Sequence, residues 1–434
     1  MRLYRAYNPR FYPMPAVPSQ STHITIDRDR LDRELATLST FSDAAPPAVT
    51  RIVFSETDLR ARIYLKSLCT DAGLQLREDA VGNIFARWSG EDPQQPAVAT
   101  GSHIDAIPNA GRYDGTVGVL GGLEAIRALK QSGFAPRRPI ELIVFTSEEP
   151  TRFGIGCLGS RLLSASRSAS VDETLKDKSG KTLHETRVEA GFDGDLNRVP
   201  LPSGHYRSFV ELHIEQGPLL EREQLAIGVV TAIAAPASLR IIIEGEGGHA
   251  GGVLMRDRRD ALCAAAEIIL IVEAAAKSSS SSDTVATTGV CNVFPSAVNS
   301  VPSRVKLEID VRDIEERRRE AVLGSIQAAA DEIARRRGVQ IQIEVINADA
   351  PGACAPEVVQ AIERACRENA LSFKRMVSRA YHDSLFMSRI VPTGMIFIPC
   401  REGVSHRPDE YASPEAISNG TLVLAHTLAE LARS

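Results

Sequence analysis

The sequence has no apolar run as long as a transmembrane helix and no excess of positive charge. Its 434 residues contain 50 Lys and Arg against 55 Asp and Glu, which gives a formal net charge of −5. This charge gives no case for binding nucleic acid, and the lack of a long apolar run argues against a membrane span. Hydrophobic residues make up 43% of the chain, as in an ordinary globular protein with a sizeable core.

Cysteine is scarce, and its seven positions show no paired spacing. An odd number of scattered cysteines favours a reducing compartment over a secreted disulfide scaffold, so we expect a cytoplasmic protein. Residues 1–26 contain three arginines and no acidic residue, as an organellar targeting segment would. Prolines in this stretch argue against an amphipathic helix and favour an N-terminal arm, although organellar targeting stays open.

Short apolar runs alternate with helical patterns, which predicts an α/β fold with a central, mostly parallel mixed sheet. The strand-like runs are residues 96–102, 140–146, 209–214 and 394–399. Between the first two, residues 115–133 have apolar side chains at helical spacing.

The pattern changes near residue 228, where strand, helix, two strands, helix and strand follow in turn. This order predicts a separate, smaller α+β unit, here called the inserted domain, at residues 228–346. It would interrupt a larger α/β domain, here called the main domain, formed by residues 27–227 and 347–434. Residues 1–26 would form the arm before it.

Polar side chains gather where the predicted strands of the main domain end. They are His103, Asp105 and Asp114 after the first strand, Glu148 and Glu149 after the second, and His213 in the third. Taken singly, each has a simpler explanation, such as a solvated loop or, for Asp114, a helix N-cap. Because ligands bind at the carboxyl ends of parallel strands, their convergence favours a shared site.

Histidine and carboxylate ligands fit Zn²⁺, Mn²⁺, Co²⁺ or Ni²⁺, whereas the lack of cysteine clusters argues against a structural zinc site. Of two adjacent glutamates, Glu149 could bind metal while Glu148 stays free as a general base. The residues thus predict a metal-dependent hydrolytic site.

Several motifs together resemble the dinuclear-metal amidase, hydantoinase and carbamoylase family, which is metallo-exopeptidase-like. They are "GSHIDAIPNAGRYDGTVGVLGGLEAI", "FTSEEPTRFG", "ELHIEQGPLLE", "GEGGHAGG" and "NSVPSRVKLEIDVRD". Residues 378–415 are most similar to the ureidoglycolate amidohydrolases of this family. The resemblance implies that the main domain is catalytic and that the inserted domain is a dimerisation or lid domain.

The resemblance also implies a role for each matching residue. It implies two divalent metal ions per subunit, for which we expect Mn²⁺ and leave Zn²⁺, Co²⁺ and Ni²⁺ open. The implied ligands are His103, His213, the bridging Asp114, and Glu149 with His382 at the second site. Glu148 would be the general base, and His249 would contact the reacting carbonyl across a homodimer interface.

The implied substrate-binding residues are Gln216, His249, Asn299, Arg312 and Tyr381. Asn299 and Arg312 would hold a carboxylate, and Gln216 the ureido or hydroxyl end. Many relatives have glycine where this chain has Tyr381, which would crowd the pocket and could donate a hydrogen bond. We further interpret Asp105 as orienting His103, His406 as structural and Cys157 as a packing residue.

The expected reaction is cleavage of the carbamoyl C–N bond of a small ureido acid. (S)-Ureidoglycolate is the expected substrate, and N-carbamoyl-L-amino acids, N-carbamoyl-β-alanine and allantoate are the alternatives. A non-catalytic relative that kept only the fold is disfavoured, because the implied ligands and Glu148 are all present. No nucleic acid or membrane partner is expected.

Overall fold

The computed structural model describes residues 23–433. The strands are β1 Val49–Arg51, β2 Gln75–Glu78, β3 Ile84–Trp88, β4 Ala97–His103, β5 Ala106–Ala110, β6 Ile140–Phe145, β7 Tyr206–Ile214, β8 Ile227–Ile233, β9 Ala235–Glu244, β10 Gly248–His249, β11 Val285–Phe294, β12 Ser300–Val301, β13 Arg304–Asp313, β14 Gln340–Ala348, β15 Gly352–Ala353, β16 Phe373–Ser378 and β17 Thr393–Ile398. Most of the predicted arm or targeting segment, residues 1–22, lies outside the described residues.

The helices alternate with the strands of the main domain and recur as a pair in the inserted domain. They are α1 Arg28–Ser39, α2 Glu56–Asp71, α3 Thr116–Gln131, α4 Leu158–Leu163, α5 Ala169–Asp172, α6 Leu183–Glu189, α7 Leu219–Arg222, α8 Ala261–Lys277, α9 Glu316–Arg337, α10 Pro356–Glu368, α11 Asp383–Met387 and α12 Pro414–Arg433. Within residues 23–433, none of these helices is long and apolar enough to cross a membrane.

Nine strands form the main sheet in the order β15-β8-β17-β7-β4-β6-β3-β2, with β16 beside β8. The four central strands β6, β4, β7 and β17 are parallel, whereas the pairs β3–β6 and β8–β17 are antiparallel. The apolar runs "AVATGSH" and "IELIVF" are buried along their whole length, as strands covered on both faces should be. The sheet is therefore mixed with a parallel centre, as predicted.

Helix α3 packs closely on this centre and leads directly away from the strand ends. A Cβ atom at Gly118 would lie only 2.3 Å from the carbonyl oxygen of Leu212 in β7. The small residue therefore lets the helix approach the sheet. Because α3 begins at Thr116, the loop before it is held over the carboxyl ends of β4 and β7.

The inserted domain is a four-stranded antiparallel sheet in the order β11-β13-β9-β14, with α8 and α9 on one face. Alternate residues of the central strands, such as Leu239, Ile241 and Ile243, are buried against these helices.

The order of elements in the inserted domain agrees with the sequence pattern. The first boundary differs, because β8 pairs with β16 and β17 of the main sheet. The inserted domain begins at β9 rather than at residue 228, and ends with β14.

Candidate active site

A cavity of about 550 Å³ opens between the carboxyl ends of the central strands and the sheet of the inserted domain. Its lining includes most of the predicted site residues: His103, Asp114, Glu148, Glu149, His213, Gln216, Arg312, Tyr381 and His382, together with His406. The fold thus brings residues from three strands and several loops to one cavity.

His103 and His213 each direct their Nε2 atom towards Asp114. The Nδ1 atoms lie 3.0 and 2.9 Å from the backbone oxygens of Asp105 and Ile214, so each Nδ1–H can donate to a carbonyl. The Nε2 atoms then face Asp114 Oδ1 at 3.6 and 3.2 Å. Carbonyl partners of this kind fix the ring and leave Nε2 as a ligand atom.

Asp114, Glu149 and His406 form a second donor group that shares Asp114 with the first. His406 Nε2 lies 3.2 Å from Asp114 Oδ2 and 3.2 Å from Glu149 Oε1. Hydrogen bonds to these two carboxylates raise the pKa of His406 to about 11. The same concentration of negative charge would attract a metal cation. Both groups fit divalent metal ions, since their donors are imidazole nitrogens and carboxylate oxygens within 4.8 Å of one another.

The interpretation of His406 as structural is therefore not supported by its position, and His382 does not take the position expected of it. The His382 ring lies 4.5 Å from the ring of His213, and His382 forms a third set of possible donors with His213 and Glu211 rather than with Glu149. The Glu211 carboxylate in this set already accepts hydrogen bonds from Ser102 and Ser384. Burial and the neighbouring His213 hold the pKa of His382 well below its usual value, so the ring is neutral. Its buried Nε2 has no hydrogen-bond partner among the described residues.

The two adjacent glutamates are held by Asp105. Its Oδ1 and Oδ2 accept hydrogen bonds from the backbone N–H groups of Glu148 and Glu149, at 3.1 and 3.0 Å. Ser147 before them has a positive φ of 56°. Asp105 Oδ1 is also 3.7 Å from His103 Nδ1, so Asp105 orients the glutamate loop more directly than the histidine.

Glu148, the predicted general base, is buried beside His103 and Cys157. Its Oε2 lies 3.7 Å from His103 Nε2, and its Oε1 accepts a hydrogen bond of 3.4 Å from the Cys157 thiol. Burial and the charge of Glu149 raise the pKa of Glu148 well above its usual value. A carboxylate with a raised pKa is a stronger base and accepts a proton more readily.

Asp114 is not the N-cap of α3, because the cap is Gly115 with φ 66° and without a side-chain hydrogen bond. Glu410, which the sequence analysis did not identify, holds the Asp114 loop instead. Its Oε1 accepts from the N–H groups of Tyr113 and Asp114, at 2.8 and 3.1 Å. The Ser405 hydroxyl lies 2.8 Å from Asp114 Oδ2 and 2.9 Å from Glu410 Oε2. The loop that carries His406 is thereby joined to the loop that carries Asp114.

Gln216 contacts the carboxylate shared by the two groups. It has a positive φ of 53°, and its Nε2 donates to Asp114 Oδ2 at 2.7 Å. Its buried Oε1 has no partner within residues 23–433. Contact of this amide with a ureido or hydroxyl group stays a prediction.

Arg312 and Tyr381 both line the cavity, and Arg312 Nη1 donates to the Arg379 carbonyl at 3.4 Å. Arg312, near the end of β13, donates through Nε to Asp310 Oδ1 at 2.6 Å. The Tyr381 hydroxyl donates to Asp349 and accepts from Arg161, two residues that the sequence analysis did not identify. Although burial opposes it, the Arg161 guanidinium lowers the pKa of Asp349 to about 2.

Comparison with known proteins places this site in a family. A model of Peptidase family M20/M25/M40 matches residues 99–430. The chain belongs to this family. It is 53% identical over 418 residues to a ureidoglycolate hydrolase of Arabidopsis thaliana. The aligned residues cover 95% of this chain and 88% of that protein. It is 36% identical to an N-carbamoyl-L-amino-acid amidohydrolase of Paenarthrobacter aurescens, over 93% of this chain and 98% of that one.

A solved structure, AtUAH in complex with glyoxylate, has the same fold. It superposes with a TM-score of 0.88 at 53% sequence identity and covers 95% of this chain and 99% of that chain. The main domain and the inserted domain are therefore those of an M20-family hydrolase, as the sequence resemblance implied.

His249 and Asn299 lie away from the cavity in the single chain, and neither is among the described residues that line it. Both are exposed on the ribbon formed by β10 and β12, where Ala250 N donates to Asn299 O at 2.8 Å. Asn299 precedes β13 and Arg312 lies near its end. An extended strand of this length spans about 25 Å, so the two cannot hold one carboxylate within a single chain.

Proposed function

We propose that this chain is an amidohydrolase that cleaves the carbamoyl C–N bond of (S)-ureidoglycolate to give glyoxylate, ammonia and CO2. The observation that carries the proposal is the buried Glu148 beside two histidine–carboxylate groups in one cavity. The identity of 53% to a ureidoglycolate hydrolase, over 95% of the chain, supports the choice of substrate. Tyr381 narrows the cavity and favours a compact substrate over an N-carbamoyl amino acid or allantoate.

Two divalent cations would be held by His103, His213 and Asp114 on one side and by Asp114, Glu149 and His406 on the other. When bound, such cations act as Lewis acids and lower the pKa of water near the substrate carbonyl. Mn²⁺ is our first choice, and Zn²⁺, Co²⁺ and Ni²⁺ provide the same ligand chemistry.

Glu148 would transfer the proton on which the reaction depends. As water oxygen attacks the carbamoyl carbon, a Glu148 carboxylate oxygen accepts the proton that the water loses. The same carboxyl group then donates it to the leaving nitrogen, which departs as ammonia. The carbamate that remains loses CO2, and the resulting amino-hydroxy acid decomposes to glyoxylate and a second ammonia.

Arg312 and His382 would orient the substrate. The guanidinium of Arg312 can bind the substrate carboxylate with two parallel hydrogen bonds. The neutral His382 lines the cavity, and its Nε2, which has no partner among the described residues, would hydrogen-bond to the carbamoyl group. We therefore assign His382 to the substrate rather than to a metal ion.

A second copy of the chain would complete the site. The ribbon that carries His249 and Asn299 lies among exposed apolar side chains, including Phe294 at 63% exposure and Val298 at 104%. Exposed apolar side chains around a projecting ribbon are typical of a protein–protein interface. In a homodimer, each ribbon would bring His249 to the partner's cavity, where it could stabilise the developing oxyanion.

Mixing two inactive variants tests whether His249 acts across the interface. Glu148→Gln and His249→Ala homodimers would be dissociated, mixed and reassembled, with each variant treated alone as the control. If His249 acts on the partner's site, one site of each mixed dimer is complete, and about a quarter of the wild-type activity should return. No recovery, with mixed dimers demonstrated by mass spectrometry, would contradict this arrangement.

A substrate panel tests the proposed specificity. Metal-depleted enzyme would be reloaded with Mn²⁺ and offered (S)-ureidoglycolate, allantoate, N-carbamoyl-β-alanine and several N-carbamoyl-L-amino acids. We expect the highest kcat/KM for (S)-ureidoglycolate. A higher value for a carbamoyl amino acid, released as a stable free amino acid, would leave the site assignment intact and reject the substrate.

A further inference from the structure

The two chain segments that join the domains meet at Asp349. The Asp349 N–H donates to the Pro236 carbonyl at 3.3 Å, so the outgoing and returning segments are hydrogen-bonded to each other. Arg319, on α9 of the inserted domain, donates to the carbonyls of Ala235 and Asp349. The backbone of Asp349 is thus held by the inserted domain.

The side chain of Asp349, in contrast, is held mostly by residues of the main domain. Arg161 donates to both carboxylate oxygens, at 3.1 and 2.7 Å, and Arg389 to Oδ1 at 3.3 Å. The Tyr381 hydroxyl donates to Oδ2, which also accepts from Asn347 Nδ2 at 2.8 Å. The carboxylate is buried, with the residue 8% exposed. This single residue joins both domains through its backbone and its side chain.

Arg161 connects this junction to the substrate cavity. Arg161, Gly156 and Tyr381 all line the cavity. The Arg161 Nε donates to the Gly156 carbonyl at 2.8 Å, and the same guanidinium donates to the Tyr381 hydroxyl. Its Cζ lies 4.3 Å from the ring centroid of Phe386, which fixes the plane of the guanidinium. One buried side chain therefore holds two parts of the wall and the junction carboxylate together.

We propose that Asp349 and Arg161 are positioning residues that fix the Tyr381 hydroxyl and couple the width of the cavity to the orientation of the inserted domain. Arg312 and Asn347 enter the cavity from the inserted domain, whereas Tyr381 and Arg161 enter it from the main domain. A rotation about the junction would change the Arg312–Tyr381 gap, and Asp349 resists that rotation through charge-assisted hydrogen bonds. Selection of a compact substrate then depends on the contact between Asp349 and Arg161 as well as on Tyr381.

The kinetic test, which rests on the proposed function, compares Asp349→Asn, Arg161→Lys, Tyr381→Phe and the Asp349→Asn/Tyr381→Phe double variant. Each single variant should raise the KM for (S)-ureidoglycolate by about tenfold, with a smaller change in kcat, because a charge-assisted hydrogen bond that sets the wall is lost. Selectivity against N-carbamoyl amino acids should fall in parallel. The double variant should be no worse than Asp349→Asn alone, whereas multiplied effects would overturn the coupling.

A second test needs no substrate. Amide hydrogen exchange would be measured at Asp349 N–H and Ala234 N–H, which donate to Pro236 and Ser378. Tyr381→Phe, which alters only a hydroxyl in the cavity wall, should speed exchange at both amides by about tenfold. Arg364→Gln, which removes an exposed ion pair with Glu430, is the matched control and should change neither.

The two tests separate the two claims. If the wild type hydrolyses no compound of the panel, the proposed function fails, and the exchange measurement still decides the coupling. Unchanged exchange in Tyr381→Phe would overturn the inference even if (S)-ureidoglycolate is the substrate. Arg161→Lys covers the case in which Asp349→Asn does not fold, since it keeps the charge and loses the planar fork.

Discussion

Replacing His406 should remove one metal ion from the site, whereas replacing His382 should leave both bound. His406 Nε2 lies 3.2 Å from oxygens of Asp114 and Glu149, while His382 packs beside His213 and Glu211. Loss of a residue that only supports a ligand weakens metal affinity by about 10–100-fold, so loss of the ligand nitrogen should cost about 100-fold or more. His382→Ala should instead lower kcat, because its Nε2 would contact the substrate.

The assay is calorimetric titration of metal-depleted protein with Mn²⁺. We expect two sites for the wild type and for His382→Ala, and one remaining tight site for His406→Ala. Thermal unfolding of each metal-depleted variant serves as the folding control. If His382→Ala loses a site and His406→Ala keeps both, the assignment made from the geometry is wrong and the sequence-based ligand set is right.

Three further predictions concern the base, the turn before α3 and the core. Glu148→Gln should lower kcat by about 10²–10⁴-fold while two Mn²⁺ ions still bind by calorimetry; unchanged kcat would exclude Glu148 as the base. At Gly115, where φ is 66°, a Cβ atom would lie 2.4 Å from His103 Nε2, so Gly115→Ala should weaken Mn²⁺ binding with unchanged circular dichroism; unchanged affinity would refute the close contact. Asp58 and Arg62 form a buried ion pair at 2.9 Å. Asp58→Ala should therefore reduce the free energy of unfolding in urea by about 3–5 kcal/mol, and a loss below about 1 kcal/mol would refute the pairing.

Much of the fold could be predicted because its elements differ in local pattern. The parallel strands are continuous apolar runs, whereas β9 and β13 alternate, and this contrast marks the change from one domain to the other. The first boundary was wrong because β8, "IGVVTAI", belongs to the main sheet although it directly precedes the alternating pattern. A local sequence pattern indicates that a segment forms a strand. It does not indicate which strands pair with it, because pairing depends on tertiary contacts.

The metal-ligand candidates on strands could be predicted because the ends of parallel strands meet at one edge. The C-terminal histidine could not be chosen in this way. His382 and His406 both follow strands of the main sheet in loops, and only the folded loop joined to Asp114 through Ser405 and Glu410 brings His406 to Glu149. The sequence offers one signal for this loop, a carboxylate four residues after the histidine.

Contacts between segments far apart in the chain could not be predicted from the sequence either. Arg161 and Asp349 are 188 positions apart, yet they form one buried ion pair at 2.7 Å. Asn299 and Arg312 are only thirteen positions apart, yet a whole strand separates them. Their spacing agrees with a shared substrate only if the two residues come from different copies of the chain.

The most direct test of the central claim is a product count from (S)-ureidoglycolate. Mn²⁺-loaded enzyme would be incubated with the substrate, and glyoxylate and ammonia would be measured in the same samples, with Glu148→Gln as the control. Cleavage of the carbamoyl C–N bond followed by decomposition predicts two ammonia for each glyoxylate, and almost none of either in the control. One mole of urea for each glyoxylate, or no glyoxylate at all, would contradict the proposed reaction.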